Sequence, residues 1–119
     1  MRRALARAEL IVASDLTLVE CDRILIRRHA TGALSEADAR RLRRSLAETA
    51  GHWNLMRIER EVVDRARSPF PGEPIRTLDA LHLASAMVAR AAVADLAFLC
   101  LDEKVRASGR ALGLRVMPA

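Results

Sequence analysis

Short β-favouring runs alternate with helical segments along this chain, and this alternation constrains the fold more than any other feature of the sequence. The runs at residues 10–13 and 96–101 are continuously apolar, whereas apolar residues in the helical segments recur every three or four positions. Strands that alternate with helices of this length are typical of βαβ units. We therefore predict an α/β protein with a mostly parallel sheet in three layers. The predicted strands are residues 10–13, 53–58, 96–101 and 114–117.

Capping residues and glycines mark the ends of the predicted helices. Ser35 begins a capping-box-like pattern, and Gly51 ends the helix that follows. Thr77 is predicted to cap a helix that is apolar nearly all round and is therefore expected to be buried on most sides. Asp102 is predicted to end a strand and to open the last helix. The predicted helical segments are residues 1–9 (the end of a helix), 16–30, 35–51, 59–67, 78–92 and 103–112.

The length and composition indicate a single folded domain over residues 1–119. Hydrophobic residues make up 51% of the chain and charged residues 29%, a balance that argues against disorder. The two cysteines, Cys21 and Cys100, are too few for a disulfide framework and suit a reducing compartment, so we expect a cytoplasmic protein. No apolar run approaches the ~18–20 residues that a membrane span needs, so membrane insertion is not expected.

The charge balance favours a polyanionic partner. Twenty basic residues oppose fifteen acidic ones, for a net charge of +5, and every basic residue except Lys104 is arginine. Arginine pairs bidentately with phosphate, although a biased genomic base composition would produce the same preference. Aromatic residues are only 3% of the chain, which is too few for a protein that binds single strands by base stacking. If the partner is a nucleic acid, its backbone is the expected point of contact.

Three carboxylates stand out, those of Glu20, Asp79 and Asp102. Each lies near the start of a different helix, and each of these helices follows a strand or an extended segment. In an open parallel sheet these positions share the edge where ligands bind. The helix dipole is the favoured explanation for Asp79 or Asp102 alone, and it explains Glu20 less well because Glu20 lies in the second turn of its helix. Together, three carboxylates ~5 Å apart repel by roughly 3 kcal/mol per pair at an effective dielectric constant of 20, so they need a compensating cation. Mg²⁺ or Mn²⁺ fits oxygen ligands and can support phosphodiester cleavage.

Other polar residues carry weaker signals. His82 lies three residues after Asp79 on the same helix face. The favoured interpretation is a structural histidine, and the alternative is a group that donates or accepts a proton near the site. The arginines at positions 40, 41, 43 and 44 form either a solvated helix face or a patch that contacts RNA. Cys21 and Cys100 lie on apolar stretches and are interpreted as core residues.

Three stretches of the sequence, residues 12–20, 76–86 and 98–116, resemble the successive motifs of PIN domains, in particular the VapC-type toxins of bacterial toxin–antitoxin pairs. The resemblance covers nearly the whole chain, and the middle stretch, RTLDALHLASA, is its most specific part. It implies a Rossmann-like α/β/α fold and divalent-metal-dependent cleavage of RNA. It also implies a homodimer and inhibition by a cognate VapB-type antitoxin.

Carried over by matching motif, Glu20, Asp79 and Asp102 would be the catalytic acids that coordinate Mg²⁺ or Mn²⁺. Position 100, often Thr or Ser in such motifs, is cysteine in this chain. The family pattern begins with a central strand that carries a further aspartate, and this chain starts after that point, since residues 1–9 match the later helix. Weakened activity is therefore expected. The alternative is an inactive PIN-like remnant that dimerises or binds an antitoxin, and an arginine-rich nucleic-acid binder ranks third.

Without that first strand, the strands at residues 10–13 and 96–101 would lack a shared neighbour. Each unpaired buried backbone group costs on the order of 1–3 kcal/mol. Three explanations would resolve the problem. The true translation start lies upstream, the two strands pair directly, or another chain supplies the missing strand. Direct pairing or compensation in a dimer is the expectation.

Overall fold

The computed structural model describes residues 9–119, so the helical segment predicted for residues 1–9 lies outside the described residues except for Glu9, which is in a bend. Strands and helices alternate along the described chain, as the sequence predicts. The elements are β1 (Val12–Ser14), α1 (Asp15–Ala30), α2 (Glu36–Ala50), β2 (Asn54–Met56), α3 (Arg60–Ala66), α4 (Thr77–Ala92), β3 (Ala97–Leu99), α5 (Glu103–Ala111) and β4 (Arg115–Met117).

The chain divides into two compact units, and the first unit consists of Leu10–Arg57. Strands β1 and β2 pair in parallel, with Ala13 opposite Leu55. Helices α1 and α2 pack against each other. The Ser35 hydroxyl accepts a hydrogen bond from the backbone N–H of Asp38 at 3.1 Å, so the predicted cap of α2 is confirmed.

The second unit contains Ile58–Ala119. Its strands β3 and β4 are also parallel, with Phe98 opposite Val116. Helix α3 packs against α4, and the most deeply buried side chains are Leu83, with 0% of its surface exposed, and Val62, with 1%. Helix α5 lies close to the sheet, because a Cβ atom on Gly109 would be 3.3 Å from the Val116 side chain. The predicted burial of α4 is confirmed by Ala80, Leu83, Ala84, Ser85 and Ala86.

Both strand pairings are parallel, so the predicted α/β class and strand direction are confirmed. The described strands form two separate two-stranded sheets, β1–β2 and β3–β4, and a direct pairing of β1 with β3 is not among their ladders. Each strand has three residues, which is shorter than the apolar run that predicted it. The single-domain assignment to residues 1–119 stays a prediction.

The cap predicted at Thr77 is wrong. Helix α4 already includes Thr77, and Arg76 is the N-cap residue, with extended backbone angles (φ −67°, ψ 154°). A side chain caps a helix from the N-cap position, where the backbone is still extended, so Thr77 lies one residue too far into the first turn. Among the helices of residues 9–119, none combines the length and the apolar character needed to cross a membrane.

Candidate functional site

Asp79 and Asp102, two of the three predicted site acids, meet at one arginine in the second unit. Asp79 lies in the first turn of α4, and Asp102 follows β3 and is the N-cap residue of α5. The Nε atom of Arg76 donates a hydrogen bond to Asp79 Oδ2 at 3.0 Å. The Nη2 atom of the same guanidinium is 3.6 Å from Asp102 Oδ2. One guanidinium therefore contacts both carboxylates.

The two carboxylate oxygens of Asp102 have different surroundings. Oδ1 accepts hydrogen bonds from the backbone N–H groups of Lys104 at 3.0 Å and Val105 at 3.1 Å, which is the geometry of a helix cap. Oδ2 faces Arg76. The cap fixes the orientation of the carboxylate, and it leaves Oδ2 for interaction with a cation.

The three charged groups differ in their exposure to solvent. The Asp79 side chain is 24% exposed and that of Asp102 is 44% exposed, whereas the Arg76 side chain is 80% exposed. The two carboxylates are thus partly shielded from water, whereas the arginine that contacts both is mostly in solvent. Water screens such ion pairs, so each contributes little to the free energy of unfolding.

The pKa of the Cys100 thiol is affected by both acids. Burial raises its pKa above the usual value, and the negative charges of Asp102 and Asp79 raise the pKa further. A hydrogen bond involving the Asp102 backbone and the positive charge of Arg106 oppose these effects. Burial, together with the charges of Asp102 and Asp79, therefore makes this thiol harder to ionise.

Arg106 is a structural residue near the site that the sequence analysis missed. It lies on α5, and only 6% of its surface is exposed. Its Nη1 atom donates to the carbonyl oxygens of Cys100 at 2.7 Å and Met117 at 3.1 Å, and its Nη2 atom donates to that of Pro118. The guanidinium thereby connects the end of β3 to the end of β4. The β3 end that it holds is the segment that leads into Asp102. Its burial is a property of the fold, and no sequence signal singled it out.

Glu20, the third predicted site acid, is half-buried in α1 and belongs to the first unit, whereas Asp79 and Asp102 belong to the second. Its role as a metal ligand stays a prediction. Glu20 and His82 each take part in a non-covalent interaction with their surroundings. Within residues 9–119, no group of three or more His, Cys, Asp or Glu side chains is close enough together to hold a metal ion.

The pair formed by Asp79 and Asp102 nevertheless fits a single divalent cation. A positive group, the guanidinium of Arg76, already contacts the Oδ2 atom of each carboxylate. Mg²⁺ is commonly bound through one or two carboxylates, with water completing its coordination. Asp79 and Asp102 together supply as many carboxylates as such a site commonly uses.

A second feature is a groove in the first unit, with a volume of about 850 Å³, lined mainly by residues of α1 and α2. Apolar side chains, including Leu18, Leu25 and Leu46, line it together with basic ones. None of the α1 residues is buried. The basic residues that line the groove are His29, Arg40, Arg43 and Arg44, and its acidic residues are Asp22 and Glu36.

Comparison with known proteins agrees with this α/β architecture. The model of the PIN domain family matches residues 1–112, which is most of the chain. The chain therefore belongs to the PIN-domain family, and the resemblance drawn from its motifs is confirmed. It is similar to Ribonuclease VapC46 of Mycobacterium tuberculosis, with 36% identity over 118 residues that cover 98% of this chain and 80% of that protein.

Proposed function

We propose that this protein is the toxin of a type II toxin–antitoxin pair and acts as an endoribonuclease that depends on Mg²⁺ or Mn²⁺. Its membership of the PIN-domain family and its similarity to a protein named Ribonuclease VapC46 support this assignment. The observation that carries the metal dependence is the convergence of Asp79 and Asp102 on one guanidinium. Two carboxylates that share one positive group are also groups that could hold a divalent ion, which supplies the chemistry of a metal-dependent hydrolase.

In this proposal Asp79 and Asp102 would hold the ion, and the role of Glu20 as a metal ligand stays a prediction from the sequence. A bound divalent ion would lower the pKa of a coordinated water and stabilise the charge that develops on a phosphodiester. The chain's own contribution is positioning. The N–H groups of Lys104 and Val105 orient the Asp102 carboxylate, and Arg106 fixes the end of β3 from which Asp102 extends.

The substrate in this proposal is RNA, bound through its phosphate backbone. The net charge of +5 attracts a polyanion, and the scarcity of aromatic residues argues against recognition by base stacking. The activity is proposed to be weak. Three acids suffice for one metal ion but not for a pair of ions that would stabilise both the attacking and the leaving oxygen.

The groove between α1 and α2 is the proposed binding surface for a VapB-type antitoxin. Its apolar lining fits one face of an amphipathic helix. The proposed homodimer would use other apolar side chains of the first unit that remain exposed, among them Val19 and Ile24, which are 55% and 54% exposed.

Cleavage of a structured RNA pool by the purified chain, in Mn²⁺ and in EDTA, tests the enzymatic part of the proposal. We expect cleavage by the wild-type chain in Mn²⁺ and none in EDTA. Asp79→Asn should abolish cleavage, because it removes one of the two charges that hold the ion. Glu61→Gln, which changes an exposed acid on α3, is the matched control and should cleave like the wild type.

Each contrary result has a distinct meaning. Full activity of Asp79→Asn would exclude the assignment of Asp79 as a ligand. Cleavage that persists in EDTA would exclude the metal dependence. An absence of cleavage by the wild-type chain would favour the alternative that the protein is a PIN-like module that dimerises or binds an antitoxin without cutting RNA.

A further inference from the structure

Arg76 is unusual among the arginines of the second unit because it contacts two acidic side chains while remaining mostly in solvent. Its Nε and Nη2 atoms contact Asp79 and Asp102 at 3.0 and 3.6 Å, yet its side chain is 80% exposed. Arg106 has the opposite character, since it is buried and donates to backbone carbonyl oxygens. Arg106 is held in place by its surroundings, whereas Arg76 can move into water with little rearrangement of the chain.

The atoms that Arg76 contacts are the Oδ2 atoms that the proposed metal site would use. A guanidinium and a hydrated divalent ion cannot occupy the space between the same two oxygens. The Oδ1 atom of Asp102 is engaged by the N–H groups of Lys104 and Val105, so this carboxylate has one oxygen left for a cation. Binding of an ion therefore requires that the guanidinium leave at least Asp102.

We propose that Arg76 is an internal counter-cation: it offsets one of the two negative charges of Asp79 and Asp102 when no metal is bound and is displaced when a divalent ion binds. This inference rests on the proposed metal site. The bridge keeps the two carboxylates convergent in the metal-free protein, where their mutual repulsion would otherwise separate them. Its cost is that Arg76 competes with the ion and lowers the affinity of the protein for it.

The test compares the Mn²⁺ affinity of three full-length chains by isothermal titration calorimetry at low ionic strength. They are the wild type, Arg76→Gln and the control Arg110→Gln, which removes an exposed positive charge at the opposite end of α5 from Asp102. Exposed ion pairs are weak, so we expect Arg76→Gln to bind Mn²⁺ about three- to tenfold more tightly than the wild type. Arg110→Gln should change the affinity less than about twofold, and raising the salt concentration should reduce the difference.

Arg76→Lys keeps the positive charge but replaces the two contacting nitrogens by one ammonium group. Its Mn²⁺ affinity should therefore lie between that of the wild type and that of Arg76→Gln. This variant also decides the question if Arg76→Gln does not fold. An unchanged or weaker Mn²⁺ affinity in both Arg76 variants, with the wild type binding normally, would overturn the role of Arg76 and leave the metal site intact. If neither the wild type nor any variant binds Mn²⁺, the proposed metal site and this inference both fail.

Discussion

Two substitutions at Asp102 can separate its role as a helix cap from its proposed role as a metal ligand. The cap uses Oδ1, which accepts from two backbone N–H groups, and the ligand role uses Oδ2, which faces Arg76. Asparagine keeps a side-chain oxygen for the cap but carries no charge. Alanine keeps neither function. If Asp102 is only a cap, Asp102→Asn should therefore behave like the wild type.

The structure sets the size of the expected effects on stability. Loss of an N-cap side chain costs ~0.5–2 kcal/mol, and asparagine caps about as well as aspartate. The ion pair with Arg76 spans 3.6 Å between side chains that are 80% and 44% exposed, so its loss adds only a few tenths of a kcal/mol. We expect Asp102→Ala to lower the free energy of unfolding by about 1 kcal/mol and Asp102→Asn by less than about 0.5 kcal/mol.

Urea unfolding followed by far-UV circular dichroism measures these stabilities, and RNA cleavage in Mn²⁺ measures the activities. The proposal predicts that Asp102→Asn remains nearly as stable as the wild type and loses at least about tenfold in cleavage rate. Glu103→Gln changes the adjacent exposed acid and should retain the wild-type rate. Full activity in Asp102→Asn, together with a loss in Asp102→Ala that follows its stability, would refute the ligand role and leave Asp102 as a cap.

Three further predictions concern stability and reactivity. Arg106→Met removes three hydrogen bonds to carbonyl oxygens and should cost about 2–4 kcal/mol in urea unfolding; a cost below about 0.5 kcal/mol would contradict its role. Gly113 has a φ of +82° after α5, so Gly113→Ala should cost about 1–2 kcal/mol, and an unchanged unfolding midpoint would exclude strain. Burial raises the pKa of Cys21 and Cys100, so iodoacetamide should modify both more slowly at pH 8 than it modifies a free cysteine, and equal rates would contradict this. The same shifts stabilise the fold below the unfolded thiol pKa of about 8.5, and this contribution should be lost as the pH rises through the higher folded values.

Several helix ends were predictable from the sequence because their determinants are local, although the cap expected at Thr77 lies one residue earlier, at Arg76. The caps at Ser35 and Asp102 both depend on residues within about one turn of the helix end. Strand lengths were not predictable in this way. An apolar run continues beyond the part that finds a ladder partner, and the partner strand is distant in the sequence, as Ala97 and Arg115 are.

The meeting of Asp79 and Asp102 could be anticipated from the rule that helices following strands begin at one edge of a parallel sheet. The rule places helix starts but not side chains. The contact of Arg76 with Asp79 spans one helical turn, whereas its contact with Asp102 crosses from one helix to another and depends on packing. Residue spacing contains no information on such a contact, and the place of Glu20 in the site stays a prediction for the same reason.

The structure also changes what the arginine content means for RNA binding. The sequence suggested a polyanionic partner from the net charge of +5, with each arginine counted alike. Arg106 is buried against carbonyl oxygens, so its charge stabilises the ends of β3 and β4 and is shielded from RNA. Arg76 is neutralised by two carboxylates in the metal-free protein, and in the proposed exchange its charge returns to solvent beside the metal site.

Because coupling between two ligands is reciprocal, an ion that frees Arg76 should raise the affinity for RNA by the same factor by which RNA raises the affinity for the ion. The charge that matters for the substrate is therefore set by the occupancy of the acidic pair as well as by the composition.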